Sequence, residues 1–158
     1  MKIEKKDLTK EVLSNLFETA SYGNSSCGFK TSKKQLELTG VNEQYGCDEC
    51  AEVLLRGGKV WYIDYEADEP DASDSVSNYD NCTPFGAGGC LKYGATLDEM
   101  VEHLNDVMDG KWAEKYHEDD PHTTMRDIVK LLTEDTEGDM YTAWNVAQAA
   151  FFGEIVYG

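Results

Sequence analysis

The sequence contains no long hydrophobic run. No stretch of about 18 apolar residues occurs in the chain of 158 residues, so no membrane-spanning helix is predicted. The basic start MKIEKKDLTKEVL is not followed by the apolar segment that a secretory signal peptide requires. These two absences favour a protein that stays in the cytoplasm and does not insert into membranes.

Basic residues are also scarce. The chain has 14 Lys and Arg against 31 Asp and Glu, and its formal net charge is -17. The excess is concentrated in residues 43–74, with ten acids and two bases, and in residues 98–139, with fourteen acids and four bases. Such a charge repels nucleic-acid phosphates and anionic membrane surfaces, so we predict no direct binding to either. The acidic segments then serve solubility as hydrated faces, or they dock on a basic partner surface.

The chain has five cysteines. Because this number is odd, they cannot all pair with one another, which argues against a full disulfide framework. Cys47 and Cys50 have C-x-x-C spacing, and Cys82 and Cys90 could complete a four-thiolate zinc site. However, seven residues separate the second pair, and the two acids between the first pair raise the pKa of its thiols. We therefore predict free thiols and no required metal, with structural zinc as the alternative.

No catalytic or cofactor-binding motif is present. The glycine-rich residues 85–89, FGAGG, match neither a dinucleotide-binding nor a Walker pattern and are typical of a flexible turn. His117 and His122 flank four residues, three of which carry carboxylates, and could hold a metal, but Pro121 favours a hydrated turn that ends a helix. His103 is predicted at the edge of an apolar helical stripe. We predict no catalytic residue and no cofactor.

Apolar residues at helical spacing predict five helices. These helices are expected at 9–20, 48–56, 96–110, about 124–133 and 139–153. Thr9 is a predicted N-cap, and Thr96 with Glu99 forms a predicted capping box. The last helix is apolar around most of its girth, which predicts that it is buried. Its apolar positions are Met140, Ala143, Trp144, Val146, Ala147, Ala150, Phe151 and Phe152.

Strand signals are shorter and weaker, apart from one. Residues 59–67, KVWYIDYEA, are rich in β-branched and aromatic side chains. Short strands are also predicted within 28–39, where Leu36 and Leu38 alternate with polar neighbours, and at 91–95 and 154–157. Residues 67–90, acidic and then Gly-rich, predict a long loop. With no internal repeat, the chain is predicted to be a single α+β domain over residues 1–158, with several helices packed on a small sheet of short strands.

The ending FFGEIVYG follows Asp139 and an alanine-rich helix that contains Ala143 and Gln148. In this it resembles the C-terminus of a group of small proteins encoded by phages, prophages and other mobile elements of Gram-positive and gut bacteria. The stretches EVLSNLFETASYGNSSCGF, AEVLLRGGKVWYIDYEA and YGATLDEMVEHLNDVM fit the pattern of the same group. The resemblance implies a small accessory protein that acts inside a bacterial host cell, and it implies no activity that can be assigned to particular residues.

Three functions remain open, in order of preference. The first is an acidic protein that binds the basic surface of a host or defence factor and inhibits it by imitating nucleic-acid phosphates. Its predicted partner-binding residues are Asp64, Glu66, Asp68, Glu69, Asp71, Asp98, Glu99, Glu102, Asp106 and Asp109. The second is a small-molecule-binding protein or enzyme, in which the 67–90 loop is a lid over a pocket lined by Trp61, Tyr62 and Tyr65. The third is a structural component of a phage particle.

Overall fold

The computed structural model describes residues 2–22, 27–44, 46–64, 91–110, 126, 128–132 and 140–155. Within these ranges helices pack on a three-stranded antiparallel sheet, so the predicted α+β class is confirmed. The strands are β1 (Cys27–Lys30), β2 (Lys59–Asp64) and β3 (Leu91–Thr96). The helices are α1 (Lys10–Ser21), α2 (Lys33–Thr39), α3 (Gly46–Leu55), α4 (Leu97–Met108) and α5 (Met140–Phe152). A single 3₁₀ turn occupies Lys5–Asp7, and residues 128–132 are helical.

The sheet has the order β1-β2-β3, with β2 in the middle. Tyr62 on β2 lies opposite Phe29 on β1 and Tyr93 on β3. Residues directly opposite each other in an antiparallel pair share a face, so these three rings line one side of the sheet. We call this side the inner face, because the aromatic residues of α1 and α5 pack against it.

Helix α5 lies at the centre of the core. The ring of Phe151 lies 6.1 Å from that of Phe17 on α1 and 6.1 Å from that of Tyr62. Phe152 lies 4.9 Å from Tyr62 and 4.3 Å from Tyr93, measured between ring centroids. Helices α1 and α4 pack against the other sides of α5, and residues 146–152 are all buried. The burial predicted from the apolar girth of this helix is confirmed.

The predicted ends of three helices are confirmed by their hydrogen bonds. The hydroxyl of Thr9 accepts a 3.2 Å bond from the backbone N–H of Val12 at the start of α1. Thr96 and Glu99 form the reciprocal capping box that begins α4. Helix α3 ends before Gly57 and Gly58, as predicted, although it begins at Gly46 rather than at residue 48.

Short strands were predicted within residues 28–39; residues 28–30 belong to β1, but the strand prediction around Leu36 and Leu38 is wrong, because this part forms helix α2. The hydroxyl of Ser32 accepts a 3.2 Å bond from the N–H of Gln35, and Gly40 ends the helix with φ +70°. Between these two caps stand residues with good helix propensity. Leu36 and Leu38 do not mark the buried face of a strand, because the side chain of Leu38 is 69% exposed.

Other sequence predictions meet the structure only in part. The strand predicted at 91–95 is confirmed as β3, and the helix predicted at about 124–133 agrees with helical residues at 126 and 128–132. Glu154 and Ile155 are not in a strand, and residues 156–158 lie outside the described residues. The loop predicted at 67–90, Asp139, His117 and His122 also lie outside them.

Asn105 on α4 holds the N-terminal segment in place. Its Oδ1 accepts a 2.8 Å bond from the N–H of Ile3, and its Nδ2 donates a 2.9 Å bond to the carbonyl of the same residue. The Nδ2 group also donates to the carbonyl of Val101 at 3.0 Å. Because the side chain of Ile3 is fully buried in the core, this amide fixes the segment that carries it.

We expect Asn105→Asp to destabilise the fold by about 1–3 kcal/mol, because the substitution keeps the shape but removes both donors. The measurement is urea denaturation of the variant and of the unchanged chain. Asp109→Asn, at the exposed residue that directly follows α4, is the matched control and should leave the unfolding midpoint unchanged. Equal midpoints for the unchanged chain and Asn105→Asp would show that the amide donors do not hold the N-terminal segment.

Candidate functional site

The exposed side of α4 carries a line of carboxylates. The buried positions of this helix are Leu97, Met100, Leu104 and Val107, which fix its other side against the core. At 3.6 residues per turn, the acidic side chains opposite them fall within an arc of about 80° and extend over about 16 Å of helix. We call this group the α4 acidic ridge: Asp98, Glu102, Asp106 and Asp109.

The members of the α4 acidic ridge differ in their contacts. Asp98, Glu102 and Asp109 are exposed, and Asp106 is half-buried. Asp98 forms an ion pair with Lys5 of the N-terminal segment. Both partners are more than half exposed, so water screens the pair and it adds little to the stability of the fold. Among the described residues, Glu102 and Asp109 form no ion pair.

Glu99 is not part of the α4 acidic ridge, because its carboxylate is hydrogen-bonded at the start of the helix. Its Oε1 accepts a 3.1 Å bond from the N–H of Thr96 and a 3.2 Å bond from the hydroxyl of the same residue. This carboxylate therefore completes the start of α4, where negative charge also favours the helix dipole. The structure gives Glu99 a capping role, and its binding to a partner stays a prediction.

The structure corrects the placement of Asp64. This residue was predicted to lie on an exposed acidic surface at the end of the strand, but it is only 7% exposed. It lies opposite Cys27 on one side and Leu91 on the other, at the same face as Tyr62. A buried carboxylate cannot contribute to a docking surface. The other predicted acids of this group, Glu66, Asp68, Glu69 and Asp71, lie outside the described residues.

The acids of α3 differ from those of α4, because each of them accepts hydrogen bonds from other residues of the chain. Glu52 accepts 2.7 Å bonds from Lys10 and from the side-chain amide of Gln44. Asp48 accepts a 2.8 Å bond from the hydroxyl of Ser14, and Glu49 accepts a 2.9 Å bond from the N–H of Gln44. The bonds from Lys10 and Gln44 lower the pKa of Glu52. The carboxylates of α3 are therefore bonded to other residues of the same chain.

A line of hydrogen bonds crosses the interior between α5 and the sheet. Trp144 Nε1 donates a 2.7 Å bond to the hydroxyl oxygen of Tyr62. The Tyr62 hydroxyl and the Cys27 thiol are hydrogen-bonded to each other, and Cys27 Sγ donates to the carbonyl of Ala20 at 3.6 Å. The carbonyl of Ala20 can only accept, so the single thiol proton of Cys27 points to it and the Tyr62 hydroxyl donates to Cys27 Sγ. These contacts join residues that are 82 positions apart, and no local sequence pattern indicated them.

The interior line is built for packing rather than for nucleophilic chemistry. Burial raises the pKa of the Cys27 thiol to about 11, and it also raises the pKa of the Tyr62 hydroxyl well above its usual range. Both groups therefore stay protonated at neutral pH and are poor nucleophiles. Trp61 lies on the opposite face of β2 from Tyr62, so these two side chains do not line one pocket as predicted. Tyr65 lies outside the described residues.

We expect Tyr62→Phe to destabilise the fold by about 1–3 kcal/mol, because it leaves Trp144 Nε1 without its acceptor. A double-mutant cycle with Trp144→Phe separates the hydrogen bond from the loss of indole packing. The cycle should give a coupling energy of about 0.5–3 kcal/mol in urea denaturation. Tyr141→Phe, at an exposed position near the start of α5, is the control and should change nothing. Additive effects of the two core substitutions would contradict the proposed coupling.

The other cysteines of the described region are also shielded. Burial raises the pKa of Cys47 to about 11 and that of Cys50, which is 1% exposed, to about 12. In the described part of the chain no three His, Cys, Asp or Glu side chains come together to hold a metal ion. Cys82 and Cys90 lie outside that part, so the expectation that no metal is required stays a prediction.

We expect the thiols of Cys27, Cys47 and Cys50 to react with a disulfide reagent at pH 8 far more slowly in the folded protein than in denaturant. The variant Cys82→Ser/Cys90→Ser isolates these three thiols. Their raised pKa also predicts that folding loses stability as pH rises from 9 to 11, where the unfolded thiols ionise first. Reaction of any of the three at the rate of free cysteine would contradict the burial of that thiol.

His103 joins α4 to the C-terminal end of α5. Its Nδ1 lies 2.8 Å from the carbonyl oxygen of Ala150, so this nitrogen carries the proton and donates it. The ring also lies against Gly153, which ends α5 with φ +72°. A carbonyl in the last turn of a helix has no partner within the helix, and His103 supplies one. The half-buried position agrees with the predicted edge of the apolar stripe.

Comparison with known proteins adds no identity. No protein-family model matches the chain, and no curated protein or solved structure matches it at a significant level. The helices in the described ranges are all too short or too polar to cross a membrane.

Proposed function

We propose that this protein is an acidic binding protein that docks through the α4 acidic ridge on a Lys- and Arg-rich surface of another protein. The observation that supports the proposal is the division of α4 into two sides. One side is fixed in the core through Leu97, Met100, Leu104 and Val107, and the other presents four carboxylates. Oriented charge on a rigid element steers the encounter with an oppositely charged surface.

The rigidity of α4 matters for this proposal. The capping box at Thr96, the contact of Asn105 with Ile3 and the bond from His103 to α5 all fix the helix. The helix backbone that carries the carboxylates therefore needs little ordering when a partner binds, which lowers the entropic cost of association. Asp98 and Glu102, four residues apart, repel each other at a cost of a few tenths of a kcal/mol, and a cationic partner would relieve it.

The comparison with α3 supports the choice of α4. The acids of α3 are bonded to Ser14, Gln44 and Lys10, so a partner would have to displace contacts of the fold. On the α4 acidic ridge, Glu102 and Asp109 are exposed and form no ion pair with the described residues. A partner can reach these two carboxylates without disturbing the core.

The class of partner follows from the sign of the charge and from the resemblance of the chain ending. A line of carboxylates attracts proteins that normally bind nucleic-acid phosphates through Lys and Arg. The resemblance to phage and mobile-element proteins favours a bacterial cell as the place of action. The protein then acts as an accessory factor that occupies the nucleic-acid-binding surface of a host or defence protein and inhibits it.

The test compares two charge reversals of equal size. Glu102→Lys/Asp109→Lys changes the α4 acidic ridge, whereas Glu11→Lys/Glu37→Lys changes exposed acids on α1 and α2 by the same total charge. A partner is first captured on the unchanged protein from a bacterial lysate at low salt and purified. We expect the ridge variant to associate with it at least about tenfold more slowly at low salt, and the control variant to be much less affected.

Two further measurements complete this test. Circular dichroism should show the same melting temperature for both variants, because neither changes a buried contact. Raising the ionic strength should weaken binding of the unchanged protein and reduce the difference between the variants. Equal slowing by both reversals would mean that only net charge matters, and unchanged binding by the ridge variant would refute docking through α4.

A further inference from the structure

We draw no further inference here: the strongest candidate, the outer face of the sheet around Trp61, where the indole Nε1 is buried without a hydrogen-bond partner and the Lys59 ammonium lies 5.3 Å from the ring centroid, carries nothing because the described part of the structure does not show what covers that face.

Discussion

The packing of α5 against the inner face of the sheet is the constraint on which the rest of the structure depends. Phe151 and Phe152 both contact Tyr62, and residues 146–152 leave no exposed side on the C-terminal half of this helix. The apolar part of such a helix must be covered on every side, because apolar surface stabilises the fold only when it is removed from water. The sheet covers one side of α5, and α1 and α4 cover others. The architecture is the arrangement that satisfies this need.

The position of α4 follows from the same constraint. Its apolar stripe packs toward α5, and His103 supplies a partner for a carbonyl at the end of that helix. Asn105 binds both backbone groups of Ile3 and so attaches the N-terminal segment to the same helix. Once the apolar stripe, His103 and Asn105 have their partners, the remaining side of α4 is the acidic one. The outward direction of the α4 acidic ridge is thus a consequence of core packing.

Local signals were sufficient for the elements whose ends and faces are encoded together. Helices α1, α3 and α4 each combine apolar residues at helical spacing with a cap or a terminating glycine, and each was predictable. Helix α2 was not, because seven residues give too little periodicity and only the caps at Ser32 and Gly40 identify it. Strand alternation accounts for the burial of Asp64, because this residue lies on the same face of β2 as Val60 and Tyr62, which are both buried.

The two parts of the candidate site, the interior hydrogen bonds and the α4 acidic ridge, differ in how far the sequence predicts them. The contact between Trp144 and Tyr62 depends on two distant segments, so only the folded chain reveals it. Its groups are bonded to each other, and burial keeps the Cys27 thiol and the Tyr62 hydroxyl protonated at neutral pH. Recognition by a charged partner needs side chains that remain accessible. In the described part of the chain, Glu102 and Asp109 are exposed on a helix that the core holds in one orientation.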